Sequence, residues 1–301
     1  MGRTTTVAHD PSGLRPPPQL RWGGTRFNRR LVRLSAHVVL IATAVFVLFP
    51  YAWMIATSIK PIADVIAWPI RWIPRTVTLE NYAAILGDQR FLRALLNSTI
   101  ISITVTAISL VLSVPAAYGL TRLVRGGGRG MLLGILASQF FPPMVFFVPF
   151  YIVLQAVGLL NTIPGLVFAY LSVTLPICTW MVATSLRDIP VELEEAARID
   201  GCDNLRIIWS IVLPIAAPGV VTAGIFAFVL SWQEYIFALL YTTSERAQTA
   251  PVLMFYLLGQ HQIDYARLMA AAVLLSIPIA VPFAIIQRIY RSGLTEGGIK
   301  G

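Results

Sequence analysis

The sequence predicts an all-α polytopic membrane protein: six transmembrane helices, with one folded loop between the fourth and the fifth. Three observations lead there. Of the 301 residues, 56% are hydrophobic and 12% charged. The mean hydropathy is +0.73, and a soluble surface made from such a chain would be one large apolar patch. The charges are gathered into short clusters that leave uninterrupted intervals at 34–59, 94–121, 130–186, 207–233 and 268–287. A helix rising about 1.5 Å per residue needs about 20 apolar residues to cross a hydrocarbon core of about 30 Å, so four intervals suit one helix each and the third suits two.

Residues 1–30 hold Arg21, Arg26, Arg29 and Arg30 with Pro16, Pro17 and Pro18, and read as a disordered basic tail. The first span then ends in Trp53-Met-Ile-Ala-Thr-Ser-Ile-Lys60 with no small-residue cleavage site soon after its charges, so it is expected to stay uncleaved. Residues 60–92 form the first sizeable loop. Behind the second span, residues 122–129 carry Arg122, Arg125 and Arg129 around Gly126, Gly127 and Gly128, a flexible turn. The third and fourth spans separate at the turn from Gly158 to Gly165. Pro142, Pro143 and Pro149 interrupt the third span, Pro176 the fourth, Pro214 and Pro218 the fifth, and Pro278 and Pro282 the sixth. Such prolines suit either hinges around a central cavity or irregular packing. Residues 242–266 are the second sizeable loop, where the apolar run Pro251–Leu258, about eight residues, is too short to span and reads as re-entrant or interfacial. The six-helix domain covers 31–292, and 293–301 is a second tail.

An even number of spans puts both termini on one side of the membrane. Most of the 23 Lys and Arg residues fall on that side, in the N-terminal tail through Arg33, the loop 122–129, the loop 187–206 and the tail from Arg288. The positive-inside rule makes it the cytoplasmic side of the cell membrane. The net charge of +9 is therefore an orientation signal and not a nucleic-acid footprint. Cys178 and Cys202 make no disulfide framework and read as small residues.

The loop 187–211 stands apart because Glu192, Glu194, Glu195 and Asp200 crowd into ten residues between apolar runs. Asp188 can cap a helix whose first turns carry the three glutamates, where the positive end of the helix dipole favours acids. Gly201 ends it in the left-handed conformation. Asp203 or Asn204 starts a second short helix that runs into Ile207–Leu213, and Pro214 and Pro218 should bend or redirect it. A solvated linker would look similar. Ala196 and Ala197 beside Glu195 favour a docking knob, since small residues admit a partner's backbone while the acid directs the contact.

The run Glu195-Ala-Ala-Arg-Ile-Asp-Gly201, followed by Ile211-Val-Leu-Pro214, resembles the EAA loop of the membrane subunits of bacterial ATP-binding-cassette importers. Within that class the chain is similar to the carbohydrate-importer permeases of the maltose G-subunit type. Supporting segments are Trp72-Ile-Pro74, Leu79-Glu-Asn-Tyr82, Asn97-Ser98, Ser231-Trp-Gln-Glu-Tyr235 and Gly293-Leu-Thr-Glu-Gly-Gly-Ile-Lys300. The resemblance runs from about residue 30 to the C-terminus. It implies the type I importer permease fold, with Glu194, Glu195, Ala196, Ala197, Asp200 and Gly201 in a coupling helix seated on an ATPase subunit. It also implies the partners: a second homologous permease, two ATPase copies that bind ATP and Mg²⁺, and an extracytoplasmic solute-binding protein or lipoprotein that delivers a carbohydrate. The loop between helices five and six is then expected to reach toward that protein's sugar pocket, and the tail 297–301 to lie near the ATPases unless it is simply flexible.

No catalytic site is legible. The only lysines, Lys60 and Lys300, do not follow a glycine-rich phosphate loop. His9, His37 and His261 are scattered, without metal-ligand spacing, and His37 reads as an interfacial or packing residue. The intramembrane acid Glu234, expected within the outer half of the fifth helix, should avoid lipid because burying its charge costs roughly 2.5 to 3.5 kcal/mol. It is a candidate for the translocation path or gate together with Trp232, Gln233 and Asn97, or else for an interhelical hydrogen bond. Trp53, Trp68, Trp72 and Trp180 read as interfacial anchors. An ion-coupled secondary carrier, with Glu234 as the coupling acid, is the alternative function.

Overall fold

A 33-residue helix, α1 (Arg26–Ser58), opens the part of the chain that the computed structural model describes, residues 26–124, 126–259 and 263–297. The chain divides into two units, one ending at Ala52 and one beginning at Trp53. In the first unit α1 is an apolar helix, and two of its polar side chains bond back to their own backbone. Ser35 donates to the Val32 carbonyl, and the His37 ring meets the Arg33 carbonyl at 2.6 Å. Such bonds keep polar groups tolerable in an apolar helix.

In the second unit, α2 (Ile62–Val65) and α3 (Glu80–Gly87) structure the first loop. Lys60 is buried there: its ammonium donates to the Arg71 carbonyl at 2.6 Å and lies 4.6 Å from the centre of the Trp53 ring. Burial pushes its pKa below the usual lysine value, and the nearby Asp64, paired with Arg71, opposes that shift. Asn81 donates to the Ser58 and Lys60 carbonyls, so α3 is tied to the end of α1.

The long helix α4 (Gln89–Tyr118) starts at Asp88, whose carboxylate accepts from the Arg90 N–H, and ends in a π turn, Gly119–Leu123. α5 (Gly128–Ala137), a short 3₁₀ turn (Ser138–Phe140) and α6 (Met144–Ala156) make up the expected third span. The two halves are bent by 93° at Pro142 and Pro143, where no backbone N–H is available to carry a helix through. α7 (Ile163–Arg187) follows, with Thr162 capping its N-terminus by accepting from the Gly165 N–H. Next come α8 (Glu192–Ile199), α9 (Asn204–Ile207), a second π turn (Ile208–Val212) and α10 (Leu213–Gln233). α11 (Ile236–Tyr241), α12 (Ala250–Leu258) and α13 (Tyr265–Gly297) complete the chain.

Among the described residues five helices are long and apolar enough to cross a membrane, and the bent α5–α6 pair is the sixth span if its halves are taken together. α4, α7 and α10 pack on one another and carry the core, with α13 against α10, α12 and α3. Small residues at the crossings, such as Ala117, Ala183, Ala223 and Ala227, are fully buried. They let the backbones approach, the mode available where lipid removes the hydrophobic drive between helices.

Some expectations are given a definite structure and others are corrected. Helix begins at Arg26 and continues to Gly297, inside the stretches assigned to tails, because charged residues at a span's ends extend its helix into the interface as readily as they end it. His9, His261, residues 1–25 of the basic tail and residues 298–301 of the second tail lie outside the described residues. The turn at Gly126–Gly128 is tight: a side chain at Gly128 would strike the Leu120 carbonyl. Pro214 and Pro218 do not redirect the chain, which stays helical from Asn204 to Gln233. The wide π turn ahead of Pro214 makes room for a residue without an N–H. The apolar run around Pro251–Leu258 is α12, packed on α4 and α13.

Candidate functional site

Burial divides α8 into two faces. Glu194 is 0% exposed and Ala197 5%, whereas Glu192, Leu193, Glu195, Ala196, Ile199 and Asp200 are exposed. A three-residue step returns a helix to the same side, which is why Glu194 and Ala197 turn inward together. A carboxylate taken out of water needs partners, and three side chains meet this one. Arg122 donates through Nε to Glu194 Oε1 at 2.7 Å. The Tyr118 hydroxyl, at the end of α4, donates to Oε2 at 2.9 Å. Arg198 lies 3.9 Å from Oε2 and donates to the Tyr118 hydroxyl at 3.1 Å. Arg122 also donates through Nη2 to the Leu186 and Ile189 carbonyls, at 2.7 and 2.8 Å, satisfying acceptors that the end of α7 leaves without intrahelical partners.

The far end of α8 closes as the sequence predicts. Gly201 takes φ 83°. Its N–H donates to the Arg198 carbonyl at 3.1 Å and the Cys202 N–H to the Ala197 carbonyl at 2.9 Å, the paired bonds of a Schellman cap. Asp203 caps α9 by accepting from the Arg206 N–H at 2.9 Å. Asp188 does not cap α8. It is the residue on which α7 ends, and Val191 precedes α8 without a side-chain cap. Of the residues assigned to the docking surface, Glu195, Ala196, Asp200 and Gly201 face outward, while Glu194 and Ala197 belong to the chain's own interior. Tyr118, Arg122 and Arg198 were not legible as functional residues. The available signal was Tyr118 and Arg122 four apart at the end of a charge-free run, aligned for one acid.

The residues assigned to a path or gate are not brought together. α10 stops at Gln233, and Glu234 stands in an extended break with φ −65° and ψ 128°. Its carboxylate accepts from the Phe237 N–H at 2.8 Å and the Ala238 N–H at 3.2 Å, holding the start of α11. This is a helix cap and not a mid-helix acid, a role that the unbroken apolar pattern hid. Glu234 also lines a cavity of about 210 Å³ with Pro143, Phe147, Tyr170, Thr174 and Ser231. An adjoining cavity of about 220 Å³ shares Pro143, Val173 and Phe237 and adds Gln139 and Ser172. Trp232 is buried and stacks on Phe228, and Gln233 is exposed; neither lines these cavities. Asn97 is buried elsewhere, its amide donating to the Arg246 and Gln248 carbonyls at 3.1 and 3.0 Å. Beside it Ser98 accepts from the Ala250 N–H at 2.9 Å. Asn161 holds the same loop from the other side by accepting from the Thr243 and Ser244 N–H groups. The loop between α11 and α12 is thus clamped to α4, with residues 243–246 exposed.

The fold that carries this acid-rich helix, the clamped loop and the cavities has known counterparts. The protein has the fold of a solved chain from a bacterial importer of the acidic polysaccharide alginate, with a TM-score of 0.74 at 22% identity over 88% of this chain and 98% of that one. In sequence it is 36% identical to the sulfoquinovosyl glycerol transport system permease protein SmoH of Agrobacterium fabrum, over 91% of this chain and 95% of that protein. It is 35% identical to the trehalose transport system permease protein SugB of Mycobacterium tuberculosis, over 85% and 93% respectively. Residues 109–296, which contain α8, both π turns, the cavity residues and the clamped loop, match one family model, and the chain accordingly belongs to the binding-protein-dependent transport system inner membrane components.

Proposed function

We propose that the chain is the permease subunit of an ATP-driven, binding-protein-dependent carbohydrate importer, forming half of a translocation pathway whose other half is a second, homologous permease. The exposed face of α8 carries the reading. Glu192, Glu195, Ala196 and Ile199 project from a helix whose opposite side is fixed by an ion pair, so they offer an acidic and apolar surface to an ATPase cleft. The α8 end then faces the cytoplasm, and the clamped loop faces the solute-binding protein. ATP and Mg²⁺ belong to the two ATPase copies, which supply hydrolysis; this chain converts their closure into alternating access. Carbohydrate is the cargo class because the relatives at 35–36% identity are named for a sugar glycerol conjugate and a disaccharide. The cavity beside Glu234 is the part of the pathway that this chain contributes. An ion-coupled carrier would leave the exposed acidic and apolar face of α8 without a role.

The test is purification of the tagged chain from its native membrane in mild detergent, with mass spectrometry of what accompanies it. A second six-span permease and a Walker-motif ATPase are expected. A chain that purifies alone and transports solute into liposomes without ATP would overturn the proposal.

A further inference from the structure

We propose that the buried cluster of Tyr118, Arg122 and Glu194 is the joint through which a push on α8 reaches the rest of the chain, so that Tyr118 and Arg122 are positioning residues for transport although neither lies on the docking face. The inference rests on the reading of α8 as the helix that meets the ATPase.

α8 is eight residues long, and along the chain it is joined only to α7 and α9, through short turns. A force on its exposed face could rotate such a helix in place. The Arg122 guanidinium opposes rotation by tying three segments with one rigid planar group. Its Nε holds Glu194 of α8, its Nη2 holds the two carbonyls at the end of α7, and its backbone is the π turn that continues α4. Tyr118 adds a second bond from α4 to the other carboxylate oxygen. The Arg122 side chain is 10% exposed and that of Glu194 0%, so water competes poorly for these bonds.

What lies beyond the joint suits transmission. The π turn at Gly119–Leu123 carries Arg122 and the one at Ile208–Val212 follows α8 and α9, and π turns are frequent at functional sites. α5 begins against the first of them, since Gly128 leaves room for the Leu120 carbonyl. α5 leads through the bend to α6, and Pro143 at that bend lines both cavities. A displacement of α8 is therefore passed to α4 directly and to the cavity walls through α5 and α6. A cluster that merely satisfied a buried acid would hold α8 in shape without carrying its motion.

The experiment uses the whole importer in detergent or nanodiscs, with Ser172→Cys as a reporter in the cavity wall and Cys178→Ser and Cys202→Ser removing the native thiols. The rate at which a thiol reagent labels Ser172→Cys is measured with and without ATP and vanadate. In the parent the two rates should differ by about tenfold, a change typical of a coupling between distant sites. Arg122→Gln and Tyr118→Phe should each bring that ratio toward one while the ATPase stays bound and hydrolyses ATP, with Tyr118→Phe the milder because it removes one bond and keeps the ring. A parent ratio retained in either ATPase-bound variant overturns the joint. If Arg122→Gln does not assemble, Tyr118→Phe decides alone, since its volume is conserved. A parent complex that binds the ATPase yet shows no response to ATP also overturns the joint, because no push then reaches the cavity. Failure of the unmodified chain to retain any ATPase is a different result, and it overturns the importer reading itself.

Discussion

At Gly201 the backbone takes φ 83°, a conformation that costs an L-residue roughly 1–2 kcal/mol. Gly201→Val is expected to lower stability by about that amount, because a β-branched residue resists positive φ, and to weaken ATPase retention by tilting α8. A thermal midpoint and a pull-down check it; unchanged values in both would show that the turn tolerates the substitution. Glu195 is exposed on the same helix, so Glu195→Lys should leave the folded chain intact and release the ATPase. Parent ATPase stoichiometry in that variant would remove Glu195 from the contact. Glu194 must answer differently although it is the adjacent acid. Glu194→Lys puts a second cation beside Arg122 in a buried site, and breaking such a pair costs about 3–5 kcal/mol. Poor recovery of folded protein is the expected outcome. Which of the two glutamates faces outward and which is buried could not be read from E-E, because both lie in an acidic first turn and only packing shows which one the bundle covers.

At the scale of elements, α11 and the clamped loop are held by a few polar side chains. Glu234→Ala removes the carboxylate that caps α11 and should cost about 0.5–2 kcal/mol. Hydrogen exchange should quicken across residues 236–241 and stay slow in α10; equal protection of α11 in the variant would mean that the cap is dispensable. Asn97→Ala removes two bonds to the loop between α11 and α12. Limited proteolysis should then cut faster near Arg246 than in the parent, and equal rates would show that Ser98 and Asn161 hold the loop without it. Both elements were hidden in the sequence for one reason. Glu234 interrupts a hydrophobic pattern that otherwise reads as continuous helix, and Asn97 acts on carbonyls about 150 residues away, a separation that no local pattern reports.

At the scale of the whole molecule, the proposed orientation puts α8 and residues 243–246 on opposite sides of the membrane. In a background lacking both native cysteines, an impermeant thiol reagent added outside intact spheroplasts should label Ser244→Cys and leave Ile199→Cys unreacted until the membrane is opened. The reverse pattern would invert the topology.

The sequence by itself determined the solvent, the spans and the place of the acidic loop between two of them, because charge-free length and a left-handed glycine are local properties that the bilayer and the backbone impose wherever the chain lies. Even the break in the third span was marked by Pro142 and Pro143, though the 93° angle was not. Tertiary structure alone decided that Glu194 turns inward to Arg122, that Asn97 clamps a loop, and that Glu234 faces a cavity while capping α11. Each of these depends on which side of a helix meets a neighbour, and that is settled by the packing of α4, α7 and α10 and not by any one segment.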